Sequence, residues 1–98
     1  DLCVAVVRLT MGGILERFPS LKFVVSHLGG AIPYLAERIQ NCYEAYPECQ
    51  ENISRPAKEY LKEFYYDTVS FFGPALMCAY DFVGPERMVL GSDYPHVI

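Results

Sequence analysis

Three short runs rich in β-branched and aromatic residues, near 21–26, 64–69 and 87–91, are separated by stretches whose apolar residues recur every three or four positions. No other feature limits the fold as much. Strands joined by helical crossovers pair in parallel, and right-handed crossovers bring the carboxyl ends of all the strands to one edge of the sheet. The pattern predicts an α/β fold with about three parallel strands and intervening helices, as one domain over residues 1–98. Neighbouring strands lie about 4.8 Å apart, so if the strands lie in chain order, side chains leaving the first and third start roughly 10 Å apart and can reach a common centre.

The helical stretches have clear punctuation. Ile32, Leu35, Ala36, Ile39, Tyr43 and Tyr46 trace one face, with Pro33 in the first turn and Pro47 closing the segment. A polar stretch, Glu48 to Arg55, leads to Pro56 and a short helix carrying Tyr60 and Leu61. Gly73-Pro74 opens a further helix and Gly84-Pro85 ends it. At the start of the chain, Leu2, Val6, Leu9 and Gly13 predict one buried helix running to the neighbourhood of Pro19. Each glycine of the Gly12-Gly13 pair costs about 1 kcal/mol in a helix interior, which points to close packing there. The predicted order is α-β-α-α-β-α-β.

Composition narrows the function classes. An apolar fraction of 52% is enough to fill a core, and it excludes disorder. A net charge of -4 with no basic run gives phosphate backbones nothing to attract, so nucleic acid is not an expected partner. The longest apolar run, Leu2 to Val7, is far below the ~20 residues of a membrane span, and no secretion signal precedes it. Cys3, Cys42, Cys49 and Cys78 show none of the close spacings of a structural zinc site. They read as reduced, buried thiols of a cytoplasmic protein.

Two residues stand where the predicted strands release the chain. His27 follows the first strand and precedes Leu28-Gly29-Gly30, where a substrate or water can approach the backbone; an imidazole there suits proton transfer near neutral pH. A strand-end histidine held by structural hydrogen bonds has equal weight, and the glycines before a helix N-terminus make a weaker anion-site reading. Asp93 leaves the third strand between Gly91-Ser92 and Tyr94-Pro95, and presents a carboxylate either to a metal or to the loop's own N–H groups. Pro95 prevents Asp93 and His96 from sharing a helix face, so His96 is at most pocket lining. Asp67 lies inside the second strand, where a charge lines the strand mouths or faces a polar neighbour. Tyr65, Tyr66, Phe71 and Phe72 form either an aromatic wall for a planar substrate or ordinary core. Arg38 lies on the polar side of the long helix, beside Glu37 and Gln40.

Taken together, Phe18-Pro19-Ser20-Leu21-Lys22-Phe23-Val24-Val25-Ser26-His27-Leu28-Gly29-Gly30-Ala31, Phe64-Tyr65-Tyr66-Asp67-Thr68 and Arg87-Met88-Val89-Leu90-Gly91-Ser92-Asp93-Tyr94-Pro95-His96 resemble the amidohydrolase-related proteins of the aminocarboxymuconate semialdehyde decarboxylase type. The resemblance covers nearly the whole chain. It implies a metal-dependent (β/α)8 barrel of which these residues are the C-terminal part. The implied reaction is non-oxidative decarboxylation, or hydrolysis, of a small carboxylic acid. His27 takes the place of the histidine that handles protons beside the metal. Asp93 takes that of an aspartate ligand to a divalent ion, zinc first and manganese second. Arg38 has the spacing of an arginine that reaches the substrate carboxylate of a neighbouring subunit, and Phe71 and His96 would line the substrate pocket.

The family's other metal ligands, a His-x-His pair and a further histidine, have no counterpart among these 98 residues. The resemblance therefore implies an enzyme, a carboxy-lyase or hydrolase, only in company with more of the barrel. The chain alone would be inactive, and the alternative is a non-catalytic α/β module that docks on a partner. Three strands of an unclosed barrel have two open edges, so a homo-oligomer, or association with the rest of the barrel, is expected.

Overall fold

In the computed structural model, which describes residues 1–96, helix α1 (Leu2–Met11) starts where the Asp1 side chain accepts the Val4 N–H at 3.1 Å. This Asp1 contact is an ordinary N-cap. The single helix expected over 1–17 is broken. Gly13 sits at φ +80°, a left-handed conformation, and α2 (Ile14–Arg17) begins after it. The physical reason is the close packing that the glycine pair suggested. A Cβ on Gly13 would collide with the main-chain carbonyl of Asn52, so the turn is open only to glycine. The expectation that this helix is buried is also corrected, since only Val6 and Thr10 of α1 are fully buried.

The three strands form one parallel sheet in the order β1 (Val24–Val25), β2 (Tyr65–Asp67), β3 (Met88–Val89). Val24 pairs with Tyr65 and Val25 with Tyr66; Tyr66 pairs with Met88 and Asp67 with Val89. The strands are shorter than the runs that announced them. β1 and β3 are the edges of this sheet, and Val24 is 62% exposed while Val25 is buried.

Helix α3 (Ile32–Ala45) carries the first crossover, with Pro33 in its opening turn and Ile32, Ala36 and Gln40 on its buried side. Gln40 joins it to the next element: its Oε1 accepts the Lys58 N–H at 2.9 Å, at the start of α4 (Ala57–Leu61). Helix α5 (Gly73–Val83) carries the second crossover and ends at Gly84, within the limits that the flanking Gly-Pro pairs marked.

Val6, Leu15, Val25, Ile32, Ala36, Ile53, Tyr60, Leu61, Phe64 and Tyr66 form a continuous core between the sheet and α1, α3 and α4. Each such large side chain contributes roughly 1.5–3 kcal/mol by leaving water. Tyr66, the middle residue of the middle strand, is fully buried and donates its hydroxyl to the Leu61 carbonyl at 2.6 Å. Burial pushes its phenol well above the ordinary range, so it acts as a neutral brace.

The four cysteines are free thiols, but none is buried as expected: Cys42 is exposed on α3 and the other three are half-buried. Among the described residues no helix is long and apolar enough to cross a membrane.

Candidate active site

The carboxyl ends of the strands release the chain into loops that carry the candidate residues. Immediately after β1, His27 begins a tight turn, His27–Gly29, in which His27 has φ +52° and Leu28 φ +59°. Gly29 follows at φ +78°, pressed so close to the Tyr66 ring that a Cβ would lie 2.5 Å from two ring carbons. After β3, Asp93 also stands on left-handed backbone, at φ +60°. Such conformations cost non-glycine residues about 1–2 kcal/mol each, and they gather where neighbours hold a side chain in an imposed direction.

The result is a convergence across the sheet. His27 Nε2 lies 3.4 Å from Asp93 Oδ1, with the imidazole side chain 59% exposed and the carboxylate side chain 23% exposed. That separation is longer than a good N–H···O hydrogen bond, and it leaves both groups open to a shared third partner. Among the described residues no donor other than His27 engages the Asp93 carboxylate; the loop is closed instead by the Asp93 carbonyl, which accepts the His96 N–H at 2.7 Å. The side chain is therefore not spent on bracing its own loop.

A divalent ion fits the Asp93 carboxylate, an ordinary oxygen ligand for such ions, and the His27 imidazole 3.4 Å away is close enough to exchange a proton with a group held beside it. One carboxylate is only part of a donor set. Among the described residues there is no group of three or more His, Cys, Asp or Glu placed to hold a metal.

Among the described residues, no hydrogen bond or ion pair joins the side chains of the remaining sequence candidates to His27 or Asp93. His96 is next to Asp93 through the backbone, with an exposed side chain. Phe71, 72% exposed, stands in the loop between β2 and α5. Arg38 is on the exposed side of α3, and nothing among the described residues brings its guanidinium to His27 or Asp93. Tyr65 and Tyr66 do not form a substrate wall: Tyr66 is core, and the Tyr65 ring carries the Arg87 guanidinium 4.9 Å from its centroid.

The sequence gives Asp67 two readings, and the structure shows a specific role. Its Oδ1 accepts the N–H of Leu28 at 2.9 Å and of Val69 at 3.0 Å. It therefore grips the residue next to His27 from the end of the neighbouring strand. A charged residue at the last position of a central strand was the available signal; its partner was beyond sequence reasoning.

An apolar cleft of about 260 Å³ opens beside the turn, lined by Leu28, Gly30, Pro33, Tyr34, Phe72 and Cys78 among others. A larger cleft of about 500 Å³ lies at the opposite, amino-terminal ends of the strands. Its charged groups are largely committed to one another: Arg55 is paired with Glu63 at 2.6 Å, and Glu16 accepts from Ser54 and Tyr60. The smaller cleft reaches the turn through Leu28 and Gly30.

Comparison with known proteins bears on the family and the fold. The chain is 30% identical over 96 residues to the 2-amino-3-carboxymuconate-6-semialdehyde decarboxylase of Dictyostelium discoideum, covering 97% of this chain and 27% of that protein. It is 31% identical over 93 residues to the 6-methylsalicylic acid decarboxylase of Penicillium expansum, covering 94% of this chain and 29% of that one. The chain thus spans less than a third of the length of these relatives. Among solved structures, a dihydroxybenzoic acid decarboxylase from a Polaromonas species, with bound manganese and the inhibitor 2-nitroresorcinol, superposes with a TM-score of 0.82 at 27% identity, covering 95% of this chain and 29% of that one. The fold is accordingly a partial α/β barrel. The amidohydrolase family pattern matches residues 3–98, and the chain belongs to that family.

Proposed function

We propose that this chain supplies one side of the active site of a divalent-metal-dependent decarboxylase acting on a small carboxylic acid, with Asp93 as a ligand of the ion and His27 as the proton-transferring group. The observation that carries the reading is the 3.4 Å approach of His27 Nε2 to Asp93 Oδ1, from loops after the first and third strands. The decarboxylase names of the relatives and the manganese of the solved neighbour support it.

When bound, a divalent ion withdraws charge from coordinated oxygen and steadies negative charge that develops at the reacting centre. Asp93 offers it a carboxylate with no competing hydrogen bond among the described residues. His27, more exposed, faces the space where substrate would lie. In decarboxylation the bond to the carboxyl carbon breaks, carbon dioxide leaves, and the electron pair remains on the substrate carbon. A proton held on His27 Nε2 then replaces the lost group, with no oxidant or reductant needed. The same pair would serve hydrolysis of a related acid derivative, with the imidazole taking a proton from the attacking water. The rest of the ion's coordination would come from outside residues 1–96. The open edges at β1 and β3, with Val24 and Leu90 exposed, are where further barrel or a second subunit would join.

The test is metal analysis and carbon dioxide release on the native-length protein, over a panel of hydroxybenzoic and unsaturated carboxylic acids, with zinc and manganese as alternative ions. The expected result is about one equivalent of divalent metal and turnover of at least one acid class, both lost on chelation. A folded protein that holds no divalent ion and releases no carbon dioxide from the panel overturns the reading.

A further inference from the structure

Thr68, the residue after Asp67, makes a matching contact toward the other arm of the site. Its Oγ1 accepts the Gly91 N–H at 3.1 Å and lies 3.3 Å from the Gly91 carbonyl oxygen, two residues before Asp93. Gly91 also packs against the strand end so tightly that a Cβ there would lie 2.9 Å from Val69 Cγ2 and 3.2 Å from Asp67 Cβ. Two consecutive residues where the middle strand ends thus reach in opposite directions. Asp67 holds the loop after β1, and Thr68 holds the loop after β3.

The backbone gives this a purpose. His27, Leu28 and Asp93 are the non-glycine residues with positive φ among those described, and all three lie on the two tethered loops. A left-handed conformation at an ordinary residue persists when its surroundings over-determine it. The tethers do so: one anchors the N–H of Leu28 itself, and the other anchors the main chain at Gly91. Neither Asp67 nor Thr68 is among the residues that meet the candidate ion.

We propose that Asp67 and Thr68 are positioning residues, a bracket at the end of β2 that independently sets the placement of His27 through one arm and of Asp93 through the other. The proposal rests on the reading of His27 and Asp93 as the working pair, and it adds that their placement is separable. The Asp67 arm governs proton transfer, and the Thr68 arm governs metal affinity.

The test combines amide hydrogen exchange with metal affinity and turnover on the native-length protein. In Asp67→Ala the Leu28 amide should exchange faster by about tenfold, as expected for loss of a hydrogen bond to a charged acceptor. kcat should fall while metal affinity holds. Asp67→Asn keeps an oxygen able to accept both N–H groups and should restore the protection and the kcat. In Thr68→Val, which preserves shape, the Gly91 amide should exchange faster and metal affinity should fall by roughly 10–100-fold, the range seen when a group supporting a ligand is removed. Thr68→Ser should restore both. If Asp67→Ala does not fold, the Thr68 pair still decides the matter.

Unchanged exchange at Leu28 and Gly91 overturns the bracket. So does a loss of metal affinity and kcat in step in both variants, which would mark a general loosening. If exchange responds at the expected amides in a protein that binds no metal and turns nothing over, the bracket stands as a structural device and the proposed function falls.

Discussion

His27 and Asp93, separated by most of the chain, meet with Nε2 and Oδ1 3.4 Å apart, each on left-handed backbone. The pair predicts an asymmetry between substitutions. Asp93→Ala should lower metal affinity by more than the roughly 10–100-fold typical of removing a group behind a ligand. His27→Ala should keep the metal and lower kcat by about 10²–10⁴-fold, the usual contribution of a general acid or base. Metal titration beside steady-state kinetics separates the two; equal metal loss in both variants would place His27 among the ligands instead.

Gly29 is expected to be the least replaceable glycine beside the site. Alanine there would be held at φ +78° with its Cβ 2.5 Å from the buried Tyr66 ring. Left-handed strain and overpacking together should cost about 2–4 kcal/mol. For a domain of this size each 1 kcal/mol shifts Tm by about 4–8 °C, so the loss is easily read by thermal denaturation. Gly73→Ala, where a Cβ meets nothing within 4 Å, is the control and should change stability by about 0.5 kcal/mol or less.

Glu16 predicts an acid-range effect at the opposite end of the strands. Hydrogen bonds from the Tyr60 hydroxyl, and then from Ser54, hold its carboxyl down to about 2 from an ordinary 4.5. Because the folded pKa is depressed, the stabilisation is fully present above about 4.5 and disappears as pH falls towards about 2. Glu16→Gln should therefore differ from the parent in Tm at neutral pH, with the two curves converging across that window. Curves that stay parallel down to pH 2 would show that the contacts do not discriminate between the carboxyl's two charge states.

Tyr66→Phe should cost about 1–3 kcal/mol, because the Leu61 carbonyl loses its buried donor while the ring's packing remains. Urea unfolding with an unchanged m-value is the expected signature. A changed m-value would instead point to altered compactness.

Each of these effects joins residues distant in the chain, which bears on how much the sequence disclosed. The β-branched runs and Gly-Pro punctuation gave the parallel order and the limits of α5, because local periodicity and capping chemistry are written in neighbouring residues. The positions of His27 and Asp93 at strand exits were legible for the same reason. The break at Gly13 was not, since it depends on Asn52 arriving behind it. Nor were the short extent of β1 and its exposed Val24, which follow from its place at an edge of the sheet.

What the sequence determined by itself was therefore the alternation of elements and which side chains the strand ends would release, both consequences of nearest-neighbour geometry. Only the tertiary structure decided that an imidazole and a carboxylate meet, and that Asp67 and Thr68 tie down the loops on either side. Those outcomes depend on distances between segments far apart in the chain, and such distances are set by how helices and strands pack, not by the order of residues within any one of them.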